Sequence, residues 1–252
     1  MTNSPEIGVV IPTLGKRPDW LGDAIASLRD AEVHTILVAP EGAFIDPNLV
    51  QHIIWREKQG DDVAASINAG VSAMPSSVKF VTWLNDDDVL MPGALRYGYE
   101  TLNGAPESPF VYGCCTYVDV SSHQLWRNRV GRIANFLLPF GPDLIPQPGS
   151  LIRRSAWQRA NGLDERLHLA FDLDLFLRLR GLGKPVFDRR IESLVRWHLD
   201  AKSNRSRHHQ VREAEHVRLM NNKDTSRLIA RLFAPLVRRV VLKAPRILLE
   251  RR

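Results

Sequence analysis

The sequence predicts an α/β protein built on a single, mostly parallel sheet flanked by helices. Three observations point there. Short apolar runs rich in Val and Ile recur between Pro and Gly, as strands covered on both faces do. Stretches with apolar residues at helical spacing alternate with them. Three adjacent acids, Asp86, Asp87 and Asp88, follow one of the runs directly, at the kind of strand end where such sheets collect ligands.

The elements follow in order. Ile7–Ile11 (IGVVI) reads as a buried strand stopped by Pro12, and a turn with Gly15 and Pro18 comes next. From Trp20 to Ala31 a helix is expected, with Leu21, Ala24, Ile25 and Leu28 on one face. Thr35–Val38 is a second strand, closed by Pro40 and Gly42, and Val50–Trp55 a third. Asp62–Met74 reads as a helix with an acidic start and Pro75 past its end. Val78–Leu84 is the strand that ends on Asn85 and the acids. After Gly104 proline and glycine interrupt the pattern often. Phe110–Val120 reads as strand, Asn135–Gly149 as a long loop with a short helix, and Ser155–Ala160 and Asp172–Arg180 as helices. The chain therefore divides into residues 1–104, 105–222 and a tail, 223–252.

With 252 residues and 44% apolar content, the chain has the composition of an ordinary globular protein. Cys114 and Cys115 are adjacent and cannot frame a disulfide network. The opening MTNSPEIGVV runs from polar residues straight into a strand, so no secretory signal is expected, and a reducing, cytoplasmic setting follows. No apolar run reaches the roughly 18 residues of a spanning helix. The net charge of +6 belongs to the tail: Lys223–Arg252 holds nine Lys or Arg and two acids, a net +7 that leaves the rest at −1.

Three carboxylates on one turn repel one another. Either they form a solvated turn, or they hold a hard divalent cation such as Mg²⁺ or Mn²⁺, which takes oxygen ligands and bridges carboxylates to phosphates. Asp172 and Asp174 stand near the start of a predicted helix, where capping is one reading and a separate carboxylate site the other.

Several stretches resemble the family 2 glycosyltransferases, which have the GT-A fold. IGVVIPTLGKRPDWLGDAIASL resembles their opening strand, loop and helix. DDVAASINAG is similar to the segment before their acidic motif, and VTWLNDDDVLMPGAL to their Asp-x-Asp region. GSLIRRSAWQRANGLDERLHLAFDLDLFLRLRGLG resembles their acceptor-side signature. The resemblance spans about residues 6 to 200. It implies an inverting, metal-dependent hexosyl- or deoxyhexosyltransferase that uses a nucleotide-diphosphate sugar and Mn²⁺ or Mg²⁺. Residues 1–104 would bind that donor, and 105–222 the acceptor.

Residue by residue, the resemblance makes Asp86 and Asp88 the pair that binds metal and diphosphate, with Asp88 the direct ligand. Asp87 serves if the register slips by one, and Asn85 shapes the turn or touches the ribose. Asp172 matches the catalytic base; the glutamate that precedes it in the family is Phe171 here, which removes a neighbouring charge. Asp174 braces the helix start, with Arg178 one turn on. Pro12 and Thr13 lie where base and ribose bind, and in VAPEGA only Glu41 can replace the family's acid after strand two. Asp62 and Asn68 fall in the nucleotide-holding segment, although Asp62 also reads as a helix-start acid. His198 approaches the metal or diphosphate, or is an ordinary buried or surface histidine. Lys202, Ser203 and Arg205 follow it on a loop that closes over the diphosphate, and His208 and His209 are solvated. In Gln147–Ser150 the glycine lets backbone approach a sugar; Arg153 and Arg154 are solvated or meet phosphate.

In the tail, Ser226–Val241 is basic and amphipathic. It suits a peripheral helix on the inner face of an anionic cell membrane, or one packed on the body or a partner. A lipid-linked or cell-envelope glycan acceptor would agree with the first. Nucleic acid is not expected, since no recognition motif or aromatic platform accompanies the charge. Two other functions remain at this stage. One is a catalytically inert nucleotide- or sugar-binding module. The other is a sugar nucleotidyltransferase, which wants a Gly-rich loop where IPTLGKRP has one glycine.

Overall fold

Val9 and Val10 are both fully buried, on opposite faces of the first strand, and this shows how the domain is layered. The computed structural model describes residues 4–50, 52–56, 62–128, 131–141, 143–198 and 207–221, together with helical residues 228, 231–233 and 235–236. In chain order the elements are β1 (Ile7–Pro12), α1 (Pro18–Ala26), β2 (Val33–Pro40), β3 (His52–Arg56), α2 (Val63–Ser72), β4 (Phe80–Trp83), β5 (Val89–Leu90) and α3 (Ala94–Asn103). There follow β6 (Phe110–Val118), β7 (Gln124–Asn128), α4 (Arg132–Leu137), β8 (Leu151–Arg153), α5 (Arg154–Arg159), α6 (Phe171–Arg180), β9 (Val186–Arg196) and α7 (Arg207–Asn221).

One sheet carries the strands in the order β3-β2-β1-β4-β8-β6-β9-β5, with β7 beside β6. The first four are parallel; α1 links β1 to β2 and α2 links β3 to β4, while β2 passes to β3 without a helix. In the second half the pairing is mixed: β8 runs antiparallel to β4 and β6, β9 is parallel to β6, and β5 is antiparallel to β9. Helices cover both faces. Val9, Ile11 and Leu37 join α1 and α3 in one core, whereas Val10, Ile36 and Trp83 join α2 and α6 in the other. A strand with both faces buried needs apolar residues at consecutive positions, hence the unbroken IGVVI run. Helix α2 lies so close to β1 that a Cβ at Gly70 would stand 2.5 Å from Val10 Cγ1.

Helix α1 is shorter than expected. It begins at Pro18, where a missing N–H costs nothing, and ends at Ala26. Five elements lie outside the sequence expectations: β5, α3, β7, β9 and α7, although α3 buries Ala94, Leu95, Gly98 and Leu102 at helical spacing. Strand β9 is crossed by charges that neighbouring side chains satisfy, Asp188 by Arg190 and Glu192 by Arg127. Helix α7 buries Val211 and Val217 and packs Ala214 against the core, and polar contacts to the body add to this.

Candidate active site

The register of β1 against β4 builds the first half of the site. Val10 pairs with Trp83, and Leu84 N–H donates to Val10 O, so the residues just past both strands emerge together. Thr13 Oγ1 donates to Asp86 Oδ2 at 2.5 Å and accepts from Gly15 N–H at 3.0 Å. Asn85 turns the chain: its carbonyl accepts from Asp88 N–H, and its Nδ2 donates to Asp88 Oδ2 at 3.0 Å. Asp88 is only 3% exposed, and its Oδ1 faces Arg196 N–H at 3.3 Å. Burial pushes the Asp88 carboxyl well above the usual carboxylate range, and the Asp87 charge adds to this. Burial also raises Asp86, opposed by the Thr13 hydrogen bond.

The end of β9 closes on the same turn. His198 Nε2 lies 2.9 Å from Asp87 Oδ2, and its ring stands 5.1 Å from the Trp20 ring. Arg196 donates to the Asp87 carbonyl at 3.3 Å and to Asp23 Oδ2 at 2.8 Å, with its guanidinium 5.0 Å from the Trp20 ring centre. The structure therefore brings His198 to the acids, through Asp87 rather than the Asp86–Asp88 pair. Sequence reading missed Arg196 although it is two residues from His198; only the β9 pairing shows where it points.

Among the described residues no three His, Cys, Asp or Glu side chains converge as a ready-made metal cage. The donor set still fits a hard divalent ion. Such an ion needs one or two protein carboxylates and completes its shell with phosphate and water oxygens. Asp86 and Asp88 are two crowded carboxyls whose charge burial disfavours, and a cation beside them would favour it.

The second half of the site surrounds Asp172, in the first turn of α6. It does not cap the helix: Ala170 is the N-cap, and Asp172 Oδ1 accepts from Leu173 N–H at 2.8 Å. Glu213 of α7 holds the chain just before it, accepting from the backbone N–H groups of His168, Leu169 and Ala170 at 2.8, 2.6 and 2.9 Å. Asp172 is half-buried, and burial raises it to about 6, with the Glu213 charge adding. Asp143 keeps solvent access on the loop after α4, yet crowding by protein raises it to about 7. The Asp172 charge pushes it the same way, and Arg218 opposes. Phe171 brings no charge to Asp172, whereas Glu213 does. Phe171 itself packs 6.4 Å from Trp83, and Gln147 Nε2 donates to the Trp83 carbonyl at 2.7 Å. Trp83 ends β4 just before the acid turn, so these contacts tie the two halves together. Asp174 is braced as expected, by Arg178 Nε at 2.8 Å and Asn221 Nδ2 at 2.8 Å.

Other expected residues are placed elsewhere. Asp62 caps α2 through Ala65 N–H at 3.1 Å, the helix-start reading. Both amide hydrogens of Asn68 go to the loop before α6, to Leu163 O and Glu165 Oε1, so this side chain ties that loop to α2. Arg153 donates to the carbonyls of Leu102, Ala105 and Ser108, and Arg154 to those of Met74 and Pro75; both are half-exposed side chains that clamp backbone. Pro12 ends β1 half-buried beside Thr13, and Glu41 is exposed past the end of β2. His208 and His209 are exposed on α7. Lys202, Ser203 and Arg205 lie outside the described residues, as does much of the tail.

No family model matches the chain. It is 23% identical over 215 residues to the uncharacterized glycosyltransferase RP339 of Rickettsia prowazekii (strain Madrid E), covering 80% of the chain and 67% of that protein. Among solved structures it resembles S. aureus TarS residues 1–349 in complex with UDP-GlcNAc, with a TM-score of 0.67 at 12% identity over 93% of the chain and 72% of TarS 1–349. It also resembles the mannosyltransferase PcManGT of Pyrobaculum calidifontis in complex with GDP-Man and Mn²⁺, with a TM-score of 0.63 at 13% identity over 99% of the chain and 75% of that structure. The chain has the fold of these glycosyltransferases, a central mixed sheet flanked by helices.

Proposed function

We propose that the protein is an inverting, metal-dependent glycosyltransferase that moves a hexosyl or deoxyhexosyl group from a nucleotide-diphosphate sugar to an acceptor hydroxyl. One observation carries this reading: two carboxylate sites with raised pKa values, Asp86–Asp88 and Asp172, joined through the Trp83–Phe171 contact. Perturbed acids held apart in one cleft mark a division of roles. The RP339 name, the UDP-GlcNAc of TarS and the GDP-Man and Mn²⁺ of PcManGT support the same class.

Asp86 and Asp88 would hold Mn²⁺ or Mg²⁺, which when bound supplies positive charge for the donor diphosphate. The remaining steps belong to the chain. Thr13 and Asn85 orient the two carboxylates, while His198 and Arg196 fix the Asp87 segment between them. Pro12, Thr13 and Glu41, at the ends of the first two strands, face the nucleoside side. Asp172 has one oxygen bonded to Leu173 N–H and its other oxygen for the acceptor proton. As the acceptor oxygen bonds to the anomeric carbon, the bond to the diphosphate oxygen breaks. Its electron pair leaves with the nucleoside diphosphate, and the acceptor proton passes to Asp172. With a value of about 6, Asp172 is ionised at neutral pH and basic enough to share that proton in the transition state. A lipid-linked or cell-envelope glycan is the acceptor class this reading favours, with peripheral membrane contact through the basic tail.

The experiment is a panel of nucleotide sugars incubated with Mn²⁺ and with EDTA, read for nucleoside diphosphate release. Release only with metal supports the enzyme. Donor binding without release or transfer to any acceptor makes the protein an inert binding module.

A further inference from the structure

Six of the thirteen exposed large apolar side chains among the described residues fall in two short segments. Ile133 and Phe136 of α4 are 60% and 65% exposed; Leu228, Leu232, Phe233 and Leu236 of the tail are 60%, 70%, 47% and 55% exposed. The two segments meet. The Phe140 ring, just past α4, lies 5.4 Å from Phe136 and 6.2 Å from Phe233. Arg218 of α7 donates to Leu138 O, which sets the helix preceding the tail beside the end of α4. Leu228, Leu232 and Leu236 recur every four residues and so line one helical stripe. A connected apolar face of this kind on a water-facing surface marks an interface.

Charge decides what covers it. Arg132 and Arg231 are exposed beside the apolar residues, and Lys223–Arg252 carries +7. A second copy seated by two-fold symmetry would bring like charge against like. An anionic bilayer offers the complement, apolar depth beneath negative headgroups. We propose that α4 and the tail together form a docking face for an anionic lipid bilayer, with Ile133, Phe136, Leu232 and Leu236 entering the headgroup–acyl boundary. The body is thus part of the contact, not the tail alone. Among the described residues no helix is long and apolar enough to cross a membrane. Asp143 stands a few residues past α4 and beside Asp172. A lipid-borne acceptor would therefore arrive next to the candidate base; that link rests on the transferase reading, whereas docking itself does not.

Vesicle flotation without donor or acceptor tests docking separately from catalysis. The full chain is mixed with phosphatidylcholine vesicles, with or without phosphatidylglycerol. It floats with the anionic vesicles and is released by high salt. The double variant Ile133→Ser/Phe136→Ser partitions roughly tenfold less, with an unchanged far-UV spectrum and unchanged donor binding. The pair Leu232→Ser/Leu236→Ser gives the same loss if the first variant misfolds. Equal flotation on neutral vesicles, undiminished flotation of both variants, or a dimer that these substitutions dissolve overturns the proposal. Loss of transfer with flotation intact counts against the enzymatic reading alone.

Discussion

Glu213 holds the backbone that leads into Asp172. Its carboxylate accepts three consecutive amides, His168 to Ala170, and its charge raises the Asp172 carboxyl two residues further on. A helix distant in sequence thus fixes the position of the candidate base and adds to the rise in its proton affinity that burial causes. Glu213→Gln removes the charge and leaves one acceptor oxygen for three donors. The expected loss of stability is about 1–3 kcal/mol. The acid limb of the transfer rate also moves to lower pH, because Asp172 loses a like-charged neighbour. A pH–rate profile and a melting curve check both.

Asp143 and Asp172 titrate as a pair near 7 and 6. Both values are raised in the fold, so the folded chain binds more protons than the unfolded chain between about pH 4 and pH 7. The pair therefore supports the fold in acid and opposes it increasingly as pH rises through that window. Asp143→Asn should raise the melting temperature at pH 8 and change it little at pH 4. The solvent access of Asp143 keeps the gain modest. Thermal melts across pH settle the sign.

Asp172→Asn keeps the shape and loses the base. Transfer should fall about 10²–10⁴-fold while donor affinity stays within a factor of two or so. Single-turnover transfer and equilibrium binding of the donor, measured side by side, distinguish this from loss of donor binding.

Gly70→Ala tests the packing that places the first strand. The added carbon would stand 2.5 Å from Val10 Cγ1, so α2 must move off β1. Overpacking of this kind costs roughly 1–3 kcal/mol. Denaturant unfolding reads the loss, and Thr13, at the end of the displaced strand, should hold Asp86 less well.

The amino-terminal half was legible because its strands are buried on both faces. IGVVI, TILV and FVTWL need no partner to be recognised, and the acids at the end of the last mark the ligand edge. Asp172 and Asp174 were found through motif resemblance, and the structure gives them the distinct surroundings that motif alone could not. The missed residues act across long separations. Arg196 meets Asp87 109 positions away, and Glu213 meets His168 45 positions away. Nothing in their own neighbourhoods carries that signal. Helix α7 escaped because its apolar stripe is short, Val211, Ala214 and Val217 among many polar residues, and β9 because its charges are satisfied by β7 and α3. Asn68, Arg153 and Arg154 are polar residues in promising segments whose side chains hold backbone in place.

The most direct measurement is the melting temperature with a panel of nucleotide-diphosphate sugars, with and without Mn²⁺, for the natural chain and for Asp88→Ala. A shift that needs both donor and metal in the natural chain, and vanishes in a folded Asp88→Ala, is the predicted result. An equal shift in EDTA, or one that survives in Asp88→Ala, would contradict the claim that this turn grips a diphosphate through a cation.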